Sequence, residues 1–159
     1  MIKILLSVIK MEKIGFCGLY CGDCPSHTGV IANLSRDLRK ELRNYHFDKT
    51  AQFLATVPFF KEFQKYPDCY QVLGALVKLR CRKACRDGGG NPWCKIRKCA
   101  LKKNLNGCWE CADFESCDQL KALNPSHSVA HIQNLQMIHK KGIEEFKKGK
   151  KYWYLPKLK

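Results

Sequence analysis

Residues Phe16 to Cys24 read F-C-G-L-Y-C-G-D-C, and this stretch governs how the rest of the chain is read. Thiols at three- and two-residue spacings (Cys17, Cys21, Cys24) bring soft sulfur ligands together on tight turns. A second block carries Cys81, Cys85, Cys94, Cys99, Cys108, Cys111 and Cys117. Ten of the eleven cysteines therefore fall in two blocks, a pattern that suits zinc or an iron–sulfur cluster.

Eleven cysteines in 159 residues also fit a secreted disulfide scaffold. Three features argue against it. The count is odd, the close pairs are too tight for ordinary bridges, and no signal peptide is evident. Met1 to Lys10 is apolar, but Lys3 and Lys10 confine the apolar run to six residues and no small-residue cleavage site follows. Residues 1–11 read as an N-terminal extension or a short strand, with Met11 an alternative start. The expectation is a cytoplasmic protein with reduced, metal-bound thiols and no membrane partner.

Net charge is 29 minus 14, or +15. Ten metal-bound thiolates and two zinc ions would bring it to about +9. Ten basic residues lie between Lys78 and Lys103 against one acid, Asp87. They read either as a phosphate-contacting face, with Arg82, Lys83, Arg86, Arg97 and Lys98 as candidate nucleic-acid contacts, or as cations that offset anionic thiolates. Lys147 to Lys159 adds six lysines around Tyr152, Trp153 and Tyr154, and 148–159 reads as a basic, aromatic, solvated tail.

Between and after the cysteine blocks the periodicity is helical. Ile31, Leu34, Leu38, Leu42 and Tyr45 predict an amphipathic helix over 29–45 with that stripe inward. Asp48 to Val57 predicts a second helix, closed by Pro58. Phe59, Phe60, Phe63 and Tyr66 form an aromatic turn or short helix before Pro67, read as core. Tyr70 to Arg80 predicts a helix that delivers Cys81 and Cys85. The run Asp87-Gly-Gly-Gly-Asn-Pro92 breaks regular structure. Gln119 to Leu123 is a helical turn, and Ile132, Leu135, Ile138, Ile143 and Phe146 predict a final amphipathic helix. The expected fold is mainly α with little or no β, a small metal-stabilised domain over 12–147 with cysteine-rich loops.

C-G-L-Y-C-G-D-C-P (17–25), G-G-G-N-P-W-C-K-I-R-K-C-A (88–100), G-C-W-E-C (107–111), H-I-Q-N-L (131–135) and G-I-E-E-F (142–146) together resemble a cysteine-rich prokaryotic family, domain of unknown function 3795. The similarity spans about residues 12–147. It implies a metal-binding protein and supplies no reaction. As ligands it implies Cys17, Cys21, Cys24, Cys81, Cys85, Cys94, Cys99, Cys108, Cys111 and Cys117, with Cys69 outside the pattern. Three residues separate Cys81 from Cys85 where the family often has two.

The C-x3-C-x2-C spacing also matches the cluster loop of radical enzymes that use S-adenosylmethionine, but those require a barrel-like α/β domain of about 200 residues. Zinc, at about two sites, is the favoured metal, and a 4Fe-4S cluster is the alternative. Cys108 and Cys111 with His127 and His131 fit a two-cysteine, two-histidine site, although Cys117 lies inside that interval as a better-placed thiolate. His27, His46 and His139 read as structural. Catalysis finds little support: a coordinated thiolate is a poor nucleophile, and Asp23 and Glu110 read as solvated turn residues. The function read from the sequence is a binding or adaptor module for protein or nucleic acid, with an iron–sulfur electron-transfer or redox-sensing protein as the alternative.

Overall fold

The computed structural model describes residues 13–156, so the expected extension or strand over 1–11 lies outside the described residues. The chain is mainly helical. Among the described residues it has no strands, only isolated bridges of Ile14 with Tyr20 and of Ser128 with Leu155. Two compact units are distinguished: one takes in residues up to His27 and from Arg82 on, and the other is Thr28–Cys81. In sequence the second is an insertion within the stretch read as one domain.

The inserted unit contains helices Val30–Asn44, Phe47–Leu54 and Tyr66–Lys78, with a 3-10 segment over Pro58–Lys65. Gly29, at φ 76°, precedes the first helix, and a Cβ there would strike the Arg80 guanidinium. Helix 66–78 starts four residues before the expected Tyr70, because Pro67 sits in the first turn, where a missing N–H is harmless.

Most of the expected inward stripe is exposed, with only Leu42 half-buried. Leu34 is 66% exposed and Tyr45 77%, with Ile31 and Leu38 also exposed, while Ala32 and Ser35 are buried. Arg39 and Arg43 meet helix 66–78, since both guanidinium groups engage Tyr70. The aromatic run is not core either: Phe59 and Phe60 are exposed, and Phe63 and Tyr66 are half-buried.

The cysteine-rich unit has the stronger core, a cluster of Ile14, Ile96, Trp109, Phe114, Leu120, Leu135, Ile138 and Phe146. Helix Lys95–Lys102 contributes Ile96, and Ala130–Lys148 contributes Leu135, Ile138 and Phe146. The latter is interrupted at Gly142, whose φ of 82° and ψ of 169° are not helical, so Phe146 reaches the core from a short second segment. The tail is not solvated as expected. Fully buried Asn134 donates to the Tyr152 carbonyl (2.9 Å) and accepts from the Tyr152 N–H (3.0 Å), and His127 stands edge-on to the Trp153 ring. A buried amide needs partners, and the tail backbone supplies them.

Candidate functional site

The first cysteine loop is held by its own backbone. Gly15 N–H donates to Leu19 O (2.8 Å), Gly18 N–H to Gly15 O (2.9 Å) and Cys21 N–H to Lys13 O (2.6 Å). Gly18, at φ 83°, lies against Leu135, and a Cβ there would come within 2.8 Å of Leu135 Cγ. Cys108 N–H donates to Phe16 O at 2.8 Å, which sets the Cys108–Cys111 knuckle beside the first loop. That knuckle is a single 3-10 turn, Cys108–Glu110, closed by Cys111 N–H to Cys108 O (3.0 Å). Cys94 and Cys117 stand at the N-caps of Lys95–Lys102 and Asp118–Lys121, and Cys99 lies within the former.

Two neighbourhoods of sulfur result. Burial, opposed by a hydrogen bond to the Leu19 backbone, pushes the Cys17 thiol up to about 12, and the nearby Cys85, Cys94 and Cys108 add to the shift. A Cβ built at Gly15 would lie 3.6 Å from Cys17 Sγ and 3.8 Å from Cys85 Cβ, so the two cysteine blocks meet there. Burial likewise raises Cys108 to about 12, reinforced by Cys117, Cys111, Cys99 and Cys94.

Cys99, Cys108, Cys111 and Cys117 line one cavity of about 240 Å³, walled also by Ile96, Phe114 and Leu120. Lys103 Nζ is 3.8 Å from Cys111 Sγ. Among the described residues, no three His, Cys, Asp or Glu side chains are grouped as they would be around one ion. The four thiols share a cavity instead of closing on a point. Cys17, Cys94, Cys108, Cys111 and Cys117 also pack against the apolar core.

The other cysteines lie outside that cavity's lining. Cys21 and Cys24 bracket the turn Cys21–Asp23, joined by Cys24 N–H to Cys21 O at 3.1 Å. Half-buried Cys81 ends the inserted unit, and Cys69, expected to be at least half-buried, is exposed on helix 66–78.

The basic face contracts. Arg86 Nε donates to Ile14 O (2.8 Å) and Nη2 to Asn106 O (2.6 Å), and its guanidinium lies over Phe16 and Trp109. Burial lowers its pKa. Arg97 is buried and donates to the carbonyls of Cys85 (2.9 Å), Gly89 (2.7 Å) and Asn91 (2.9 Å). Both arginines brace loops around the cysteines and present little to a phosphate. Arg82, Lys83 and Lys98 are exposed.

Glu110, read as solvated, is tied to its loop: Asn106 donates to it through N–H (2.8 Å) and Nδ2 (2.9 Å). His127 Nδ1 pairs with Trp153 O and His139 Nδ1 with Trp109 O, each at 2.8 Å. His131 is fully buried, and its pKa is lowered first by burial and then by His127, against an opposing contact with the Leu120 backbone. Arg86, Arg97 and His131 have structural roles that periodicity does not reveal, because their partners are backbone carbonyls or core residues remote in sequence.

Fold and thiol arrangement define a small, mainly helical, cysteine-rich protein. It belongs to the family described as protein of unknown function DUF3795, whose model matches residues 13–122. No curated protein and no solved structure matches the chain. Among the described residues no helix is long and apolar enough to cross a membrane.

Proposed function

We propose that the cysteine-rich unit is a metal–thiolate binding module, acting as an adaptor and not as an enzyme. The observation that carries this reading is the cavity lined by Cys99, Cys108, Cys111 and Cys117, with a second group of thiols around Cys17. Buried thiols with raised pKa values are protonated when empty, and a cation that displaces those protons relieves the cost of bringing sulfur charges together. Zinc is the ion proposed, at about two sites: one in the cavity, the other drawn from Cys17, Cys21, Cys24, Cys85 and Cys94. A structural zinc contributes on the order of 10–16 kcal/mol in peptide models. Filled sites would fix the segments that carry Arg82, Lys83 and Lys98, exposed residues that would meet a protein or nucleic acid. Reduced thiols require a reducing compartment such as the cytoplasm.

Elemental analysis of protein purified under reductant tests this, with near-stoichiometric zinc expected. Protein that is isolated metal-free and takes up neither zinc nor iron would refute it. A second reading, a 4Fe-4S cluster in the same cavity, is favoured by size. The 240 Å³ space is far more than a bare ion needs, and Ile96, Phe114 and Leu120 form part of its wall. Oxygen-free purification separates the two: an absorption band near 400 nm that bleaches on oxidation marks the cluster.

A further inference from the structure

The inserted unit lacks a proper core. Its buried apolar residues are two alanines, Ala32 and Ala51. In place of a core there is a cleft of about 600 Å³, within the roughly 300–1,000 Å³ range of small-molecule sites. Leu42, Phe63, Tyr66 and Tyr70 line it, and Ala51 and Ala55 leave it deep where larger side chains would fill it. The aromatic wall is ordered: Tyr66 and Tyr70 stack at 6.1 Å, and Phe47 lies 5.8 Å from Tyr66 and 6.1 Å from Phe63.

The cleft wall carries one arginine and one aspartate. Arg43 lines the cleft and donates to the Tyr70 hydroxyl at 3.1 Å, and the Arg39 guanidinium lies 4.5 Å over the Tyr70 ring. Among the described residues, neither arginine is paired with a carboxylate. Asp48, also on the wall, lies 3.8 Å from Lys49 Nζ. Its charge disfavours a multiply anionic guest, while Arg43 favours a single planar anion that a guanidinium fork can grip.

We propose that this cleft binds a small planar aromatic carboxylate, its ring against Phe63, Tyr66 and Tyr70 and its carboxylate toward Arg43. Offset or edge contacts with the tyrosine rings would hold the flat body. The site is independent of the metal–thiolate reading and would survive its failure.

The test titrates the full-length protein with 2-naphthoate and with uncharged 2-naphthamide, following backbone amide NMR shifts. The expected result is saturable one-to-one binding of the acid, about tenfold weaker binding of the amide, and shifts centred on residues 42–71. Arg43→Gln, at an exposed position, should weaken the acid about tenfold and leave the amide unchanged. Ala55→Leu should abolish binding of both by filling the cleft. Should Ala55→Leu disturb the fold, the Arg43→Gln comparison decides alone. No saturation at millimolar acid, equal affinity for acid and amide, an Arg43→Gln variant that binds both as the parent does, or shifts centred elsewhere would each overturn the proposal.

Discussion

Replacing Arg86 by methionine separates a bracing arginine from a phosphate-binding one. Methionine keeps most of the stem and removes the guanidinium, with its hydrogen bonds to Ile14 O (2.8 Å) and Asn106 O (2.6 Å). Hydrogen bonds from a charged donor are worth about 1.5–3 kcal/mol each. Loss of the stacked positions, 4.5 Å from the Phe16 centroid and 5.6 Å from that of Trp109, adds about 0.5–2 kcal/mol. The variant also escapes the desolvation that depresses the Arg86 pKa, which takes back part of the loss. The net is a destabilisation of about 2–4 kcal/mol. All three tryptophans, Trp93, Trp109 and Trp153, lie in the cysteine-rich unit, so tryptophan fluorescence during urea unfolding reports on it alone. With a slope near 2 kcal/mol/M, the midpoint should fall by about 1–2 M. Exposed Arg82→Met is the control and should stay within about 0.5 kcal/mol of the parent. Equal midpoints for the two variants would refute the bracing role.

Asn134→Ala removes both hydrogen bonds to Tyr152 and should cost about 2–4 kcal/mol, with faster tryptic cleavage at Lys150 or Lys151 as the direct readout. His131, with a folded pKa below its ordinary 6.5, contributes stability that is present above that value and lost as pH falls through the folded pKa, because the unfolded chain takes up the proton first. In chelated, reduced protein the urea midpoint should therefore drop more between pH 7 and pH 5 for the parent than for His131→Leu; equal drops would contradict this. Gly18→Ala combines a φ of 83° with a Cβ 2.8 Å from Leu135 Cγ and should cost about 2–4 kcal/mol. Gly142→Ala meets nothing within 4 Å of the added Cβ, but φ 82° with ψ 169° is backbone that essentially only glycine adopts, so strain alone should cost about 1–3 kcal/mol, and a Gly18→Ala loss smaller than this would show that backbone strain outweighs crowding.

Helix positions were legible in the sequence and helix orientation was not. Periodicity places a helix at 29–45 against the observed Val30–Asn44, because backbone propensity and breakers are local. Which face turns inward depends on what stands opposite. Here the opposing helix presents Tyr70 to Arg39 and Arg43, with Gly74 making room: a Cβ there would come within 2.8 Å of Arg39 Nη1. No hydrophobicity pattern encodes that match of cations to a tyrosine ring. The tail misled for a similar reason, since its lysines read as solvated while its backbone completes a buried asparagine.

The thiols teach a sharper lesson about how metal and core relate. Cysteine spacing marks turns, and from spacing alone the thiols belong to loops with few apolar neighbours, to be folded by metal. In the structure Cys17, Cys94, Cys108, Cys111 and Cys117 rest against Ile14, Trp109, Phe114 and Leu135, and Phe16 O takes the Cys108 N–H. A cluster of eight buried apolar residues contributes stability whatever fills the cavity. If the proposed metal is bound, removing it would take away a restraint on the loops and leave the core contacts in place. The resulting expectation is graded: a chelated protein that keeps the Trp109 environment while the loops around Cys94 and Cys117 loosen. Amide exchange resolves the two. Rapid exchange throughout Ala130–Lys148 after chelation would mean that core and metal form one cooperative unit, with the thiol sites as the fold's main support.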